Sequence, residues 1–376
     1  MKETRIHFQW SPQTDPTWFR SGVSLHSHTL HSRESLNFFY RIAAKLAPVR
    51  FLLRQTEARY QAAYGSALDL ERGWWTPPLA PLDAHTIEFD QIKNMGLAPI
   101  VSLTDHDDIE APMSLQAVDA SRRVPVSVEW TVPFRNTHFH VGLHNLRPSR
   151  ARSTMSRLAE HTAHPREGAL KEILASLHAS PETLIVFNHP MWDEAGIGSS
   201  GHRAAAFEFL AQCGEFVDAL ELNGLRPWVE NRQVIQLARA WSKPLVAGGD
   251  RHAVEPNTML NLTQSADFAA FADEVRHGNS TILISTPYRE AHSIRIFNNT
   301  LDVLRRYPGH GFGWTEWPDR VFYTLEDGTV ASLSHLWGGH PPKIAGFLTG
   351  LLRVAGQPQI RGVLRQAVSG TEEVLL

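Results

Sequence analysis

One cysteine, Cys213, stands in a chain of 376 residues. A lone thiol excludes an intramolecular disulfide and a cysteine-rich metal site, and it fits a reducing compartment. An excess of one charge is missing too. The 36 Lys and Arg are balanced by 39 Asp and Glu, for a net charge of −3, so there is no global electrostatic footprint for nucleic acid. No apolar run is long enough to span a bilayer, and the polar start, Met1-Lys2-Glu3-Thr4-Arg5, has no long apolar segment behind it. These features predict a cytoplasmic protein with no membrane partner. Repeats and low-complexity tracts are also lacking. The length allows one large α/β unit with additions, or two domains. What the chain does have is histidine, with 20 copies, although number alone does not make a ligand.

The histidines follow a pattern. A series of short apolar runs ends in histidine or carboxylate. His26 and His28 follow Val23-Ser24-Leu25, and Asp105 and His106 follow residues 100–104. Glu129 closes 124–128, and His140 lies within 139–143. His189 follows 184–188, Glu221 and Asn223 close Ala219-Leu220, and Asp250 and His252 follow 244–249. Helical patterns over 83–95, 168–178, 203–212, 229–241 and 266–276 alternate with these runs, which predicts a parallel sheet. Closure into a barrel is expected, because ligands come from nearly every run, whereas an open doubly wound sheet gathers them at one crevice. At the C-terminal rim of such a barrel, imidazole nitrogens and carboxylate oxygens would hold divalent metal. Two or more metals would suit phosphate ester hydrolysis.

Taken one at a time, each residue has an ordinary reading. His26 and His28 occupy alternate positions, so both rings can reach one cation; isolated histidines are commonly surface or core residues. His106 can ligate while Asp105 orients a ring or bridges to a neighbouring site. Glu129 closes a buried-looking run and needs compensation, from an arginine or from two bridged metals. His140 has His138 and His144 as close competitors. Asp250 and His252 repeat the alternate-position logic of the first pair. The shared location at run ends is what argues for a site.

In their order these motifs resemble the PHP (polymerase and histidinol phosphatase) superfamily of metal-dependent phosphoesterases. The motifs are Leu25-His26-Ser27-His28-Thr29, Thr104-Asp105-His106-Asp107, Val128-Glu129, His140, Asn188-His189-Pro190 and Gly249-Asp250-Arg251-His252, over roughly residues 20–285. The resemblance implies a distorted seven-stranded β/α (TIM-like) barrel and two or three divalent ions, usually manganese, zinc or iron. It implies one metal on His26, His28, Glu129 and Asp250. A second would share Glu129 and take His140 and His189. A third would take His106, His252 and a residue soon after the first motif. Many relatives have Ser-Asp-Gly there, and this chain has Ser32-Arg33-Glu34. Arginine stays protonated and cannot ligate, so Glu34 or His31 is the candidate, and Arg33 is left to face a substrate phosphate.

Residues 1–288 are thus expected to form the metal-hydrolase barrel. A helical insertion over 36–80, interrupted at Pro48, would be its cap, with Trp74 and Trp75 near the end of the insertion. Residues 289–376 would be an accessory segment packed on the barrel. The expected reaction is phosphoester hydrolysis of a phosphorylated small molecule or nucleotide, by a hydroxide bridging two metals. A third metal, or a proton from His252 or Asp105, would relieve the leaving group. Arg226 and Arg251 are the best-placed planar forks for phosphate. The alternatives are a carboxyl-ester or carbamate hydrolase on the same metal barrel, or a non-catalytic metal-binding accessory protein.

Overall fold

The computed structural model describes residues 4–12, 14–36, 47–118, 123–166 and 168–367. Its strands are β1 (Arg5–Phe8), β2 (Ser21–Ser24), β3 (Glu34–Ser35), β4 (Gly73–Trp75), β5 (Ala98–Val101), β6 (Val128–Phe134) and β7 (Thr137–His144). They continue with β8 (Leu184–Phe187), β9 (Ala219–Asn223), β10 (Leu245–Gly248), β11 (Met259–Thr263), β12 (Thr281–Ile284), β13 (Val321–Thr324) and β14 (Val330–Ser332). They form a five-stranded sheet of order β1-β12-β11-β2-β5, a second five-stranded sheet of order β10-β9-β8-β7-β6, and a four-stranded sheet of order β14-β13-β4-β3.

No sheet among the described residues closes on itself, and this corrects the expected TIM-like barrel. The reason lies in β2. A strand has two hydrogen-bonding edges, and β2 gives one to β5, in parallel, and the other to β11, antiparallel. No edge is left for β10. A side chain fills the gap: Asn261 on β11 accepts from Ala247 N at 2.7 Å and donates to Ala247 O at 2.8 Å. Beyond the strand ends the segments that continue the two large sheets meet through parallel bridges, Ser27 with Arg251 and His106 with Glu129, and Gly249 N and Asp250 N donate to Leu25 O and His26 O at 3.0 and 2.7 Å. The sheets are also joined by apolar packing. Val23 and Ile100 of the first sheet meet Leu184, Val186, Ala219 and Val246 of the second in one buried cluster. Each such side chain stabilises the fold by roughly 1.5–3 kcal/mol.

The helices cover the outer faces. Pro81–Asn94, Ala169–His178, Ser199–Cys213, Trp228–Ala240 and Phe268–Arg276 fall close to the expected ranges. Helices Glu110–Val118 and Pro148–Ala163 add to them. Pro133 lies inside β6, where it is tolerated because β6 is the edge of its sheet and has β7 alone as a strand neighbour. The segment Gly73–Trp75, near the end of the insertion, is a strand.

Part of the expected helical insertion, residues 37–46, lies outside the described residues. The rest of it forms a unit with the C-terminal segment. Helix Ala47–Tyr64 has Pro48 in its first turn. Its Leu52 packs with Trp337 and Ala345, and its Thr56 Oγ1 accepts from Trp337 Nε1 at 3.2 Å. β13 pairs with β4, and β4 pairs with β3. No helix among the described residues is long and apolar enough to cross a membrane.

Candidate metal centre

The turns that follow the strands aim the side chains. His26 lies just beyond β2, His189 just beyond β8 and Asp250 just beyond β10, and all three have positive φ, at 64°, 26° and 53°. Non-glycine residues rarely adopt such values, and they cluster where surrounding structure holds them for function. A close approach adds to this. A Cβ on Gly248 would run into the Glu221 carboxylate, so glycine there lets Glu221 reach the His26 ring.

Glu129 is the hub. Its Oε2 lies 2.9 Å from His26 Nε2, 3.4 Å from His28 Nε2 and 3.4 Å from His106 Nε2. Its Oε1 lies 3.2 Å from His189 Nε2 and 3.5 Å from His140 Nδ1, and accepts from Asn188 Nδ2 at 2.9 Å. Asp250 Oδ1 is 3.4 Å from His28 Nε2 and 3.7 Å from His26 Nε2. Glu34 Oε2 is 3.2 Å from His252 Nε2 and 3.4 Å from His106 Nε2. Several trios bring ligand atoms within 4.8 Å of one another: His26, His28 and Glu129; His26, His189 and Asp250; His28, Glu34 and His106; His28, Asp250 and His252; His106, Glu129 and His140.

These residues fit cations. Most of the separations are too long for good hydrogen bonds. They match the edges of a coordination polyhedron, since ligand atoms about 2.1 Å from a tetrahedral ion are about 3.4 Å apart. His28 Nε2 is buried and has no hydrogen-bond partner, although two carboxylate oxygens face it. A lone pair left this way in a dry interior is costly unless something occupies the gap.

The electrostatics divide the imidazoles into two groups. Burial, reinforced by His252, pushes the His28 ring down to about 4, against the pull of Glu34. Burial likewise takes His140 down to about 3. Burial opposes ionisation of Glu129, Glu34 and Asp250, yet the surrounding imidazoles hold all three carboxyls well below their ordinary range. At neutral pH the cluster offers ionised carboxylates with neutral His28 and His140, while against burial the carboxylates hold His26, His106 and His252 above the ordinary imidazole range, so a cation there would displace their protons.

Other sequence candidates sit elsewhere. Asp105 accepts from Thr29 N at 2.5 Å and Thr29 Oγ1 at 2.7 Å, so it fixes the turn after His28. Burial raises its carboxyl to about 7 in spite of those bonds. Arg251 is buried and points away from the cluster: its guanidinium donates to Glu88, to Ala253 O and, at 3.1 Å, to Ala84 O. Alternation explains this, because the residue between Asp250 and His252 faces the other way. Arg33 is exposed and stacks 5.0 Å over Trp74, while Trp75, on the opposite face of β4, approaches His252 at 5.6 Å. His31 is half-buried, and its backbone N–H donates to Thr29 Oγ1. Among the histidine competitors, His144 Nδ1 faces Ser102 Oγ at 2.8 Å, and His138 stands one ring outward of His140. Arg226 does reach the cluster. It donates to Asp250 Oδ2 at 3.2 Å, its guanidinium lies 3.8 Å over Trp192, and its buried Nε has no partner.

Three carboxylates complete the surroundings. Glu221 holds His26 Nδ1 at 2.6 Å; it closes its own run, so its position was visible in the sequence without its role. Glu194 lies 3.5 Å from both His138 Nε2 and His140 Nε2. It follows no strand directly, and the only signal for it is its nearness in sequence to His189. Glu88 is fully buried on helix Pro81–Asn94 between Ala84 and Ile92. A carboxylate on the apolar stripe of that helix is a signal that it must find polar partners.

No family model matches the chain, and no curated protein does. Solved structures that resemble it include PsfC from Pseudomonas syringae, at 11% identity and a TM-score of 0.40, with 75% of this chain and 98% of that one covered. An amidohydrolase from Chromobacterium violaceum with bound sulfate overlaps 47% of this chain and 84% of its own, at 14% identity and a TM-score of 0.31. A protein described as a metal-dependent phosphoesterase from Bifidobacterium adolescentis overlaps 53% and 92%, at 14% identity and a TM-score of 0.33. The likeness to PHP-type phosphoesterases is weak, and the chemistry rests on the geometry of the site.

Proposed function

We propose that this protein is a metal-dependent hydrolase that cleaves a phosphoester of a small anionic molecule. The observation that carries the reading is Glu129, whose two oxygens face two separate sets of imidazoles inside a dry, strained rim. One cation would be held by His26, His28, Glu129 and Asp250, a second by Glu129, His140 and His189, and a third by Glu34, His106 and His252. Manganese, zinc and iron all suit such nitrogen and oxygen donors. When bound, the ions supply Lewis acidity, activate water and neutralise phosphoryl charge.

The chain's own residues do the rest. Glu221 would accept a hydrogen bond from His26 Nδ1–H and so turn its Nε2 inward. Asp105 keeps the His28 turn in place through Thr29. Arg226, braced on Trp192 and Asp250, has an unpartnered Nε to offer to an anion, which favours a phosphorylated substrate over a neutral carboxyl ester or carbamate. Trp75 covers the His252 side and limits water there. In this reading the described residues of the insertion and of the C-terminal segment are one cap, since β3, which carries Glu34, pairs with β4, and β4 pairs with β13.

The test is a screen of metal-stripped protein reloaded with manganese, iron or zinc against phosphomonoesters, phosphodiesters and carboxyl esters. Metal-dependent release of phosphate is the expected result. Turnover of carboxyl esters alone, or a protein that retains no metal, would sink the proposal.

A further inference from the structure

We infer that Glu194 is a positioning residue that fixes the His140 ring, so that His140 faces the centre through Nδ1 whereas His26 faces it through Nε2. The inference rests on the metal reading above. An imidazole gives one lone pair to a cation, and its other nitrogen then carries a proton that needs an acceptor. His26 settles the pattern: Nε2 points to Glu129 at 2.9 Å, and Nδ1 points outward to Glu221 at 2.6 Å. His140 is the reverse. Nδ1 faces Glu129 Oε1 at 3.5 Å, and the acceptor facing Nε2 is Glu194 Oε2, also at 3.5 Å. Glu221 and Glu194 thus face the outward nitrogens, Nδ1 in His26 and Nε2 in His140.

The loop is built to deliver this carboxylate. Asp193 accepts from Gly196 N at 2.8 Å, Ile197 N at 3.1 Å and Gly198 N at 2.7 Å, which closes the loop after Glu194. Before it, Trp192 N donates to His189 O at 2.9 Å, and the His202 ring meets Pro190 O at 3.1 Å. Glu194 is therefore tied to the same turn that presents His189. His138 Nε2, 3.5 Å from the same Oε2, holds the carboxylate from the solvent side.

The experiment uses the full chain and compares Glu194→Ala and Glu194→Gln with the unsubstituted protein. The readouts are zinc retained after dialysis against a graded chelator, and the nitrogen through which His140 ligates in a crystal of the zinc-loaded protein. Removal of an outer-shell partner typically weakens metal binding about 10–100-fold, so Glu194→Ala should loosen one zinc by that factor. Glu194→Gln should restore most of the loss, because an amide oxygen still accepts from Nε2–H. Three results would overturn the inference alone: unchanged zinc retention in Glu194→Ala, a loss in Glu194→Gln equal to that in Glu194→Ala, or a zinc bound between His138, His140 Nε2 and Glu194. If the unsubstituted protein retains no zinc, manganese or iron, the metal reading falls first and this inference with it.

Discussion

Two buried polar clusters lie back to back across the same pair of backbone segments. On one face, His26, His28, Asp250 and His252 turn toward Glu129 and Glu34. On the other, the residues between them, Ser27 and Arg251, turn toward Glu88. Ser27 and Arg251 are themselves joined by a parallel bridge. Glu88 Oε1 accepts from Ser27 Oγ at 2.7 Å and from Arg251, and Oε2 accepts from Ser24 Oγ and, at 2.6 Å, from Asn257 Nδ2. Every lone-pair direction of that carboxylate meets a protein donor. Across the backbone, His28 Nε2 meets none. Both clusters are charged and dry, so burial does not distinguish them. Saturation of the central carboxylate does: Glu88 meets its protein donors without a ligand, although Asn257 Oδ1 beside it has no partner, whereas His28 Nε2 beside Glu129 calls for a ligand.

The sharpest way to break this comparison is to remove the two hubs in turn. Glu129→Ala should leave less than the full metal complement and cut turnover by about 10³-fold, since the ions are worth several kcal/mol to a charged transition state. Elemental analysis and steady-state kinetics read both, and retention of metal and activity would refute the hub role. Glu88→Ala should act on stability instead. It leaves a buried Arg251 without its counter-charge, at a cost of about 3–5 kcal/mol in chemical denaturation. Molecules that still fold should keep their metal, and a selective metal loss at unchanged stability would erase the contrast.

A smaller effect comes from His144, a ring in neither cluster. Burial, and then the charge of His26, hold it near 3 in the folded state against 6.5 in its ordinary range. Between those values the unfolded chain binds the extra proton, so stability should fall as pH drops through that window, by up to about 1.4 kcal/mol per pH unit from this ring. His144→Gln should flatten the slope by that amount, and an unchanged slope would show that the ring is not held neutral. The smallest effects separate two arginines by the Michaelis constant for a phosphorylated substrate. Arg226→Ala should raise it about 10-fold, the scale of one charge-assisted hydrogen bond. Arg33→Ala, which removes an exposed stack on Trp74, should leave it unchanged. Equal effects would place Arg33 in the site as well.

Much of the candidate centre was legible because many of its residues end a run whose apolar pattern is local. His26, His28, His189, Asp250 and His252 could be found by reading a strand to its end. Arg251 could be read for its charge and not for its direction, although the same alternation that turns Asp250 and His252 inward turns it outward. Glu88 was open to inference from Ala84 and Ile92 on its helix, but its partners come from segments far away in sequence. Glu194 belongs to no element, and loops carry no periodicity to read.

The sequence alone determined which run ends carry nitrogen and oxygen donors, because side-chain period and burial are properties of a few neighbouring residues. The tertiary structure decided how they come together. β2 accepts β11 on the edge a barrel would need, and β4 ties Glu34 to β13, a strand far along the chain at Val321–Thr324. Strand pairing between distant segments is chosen by the competition among all available edges, and no local pattern records its outcome.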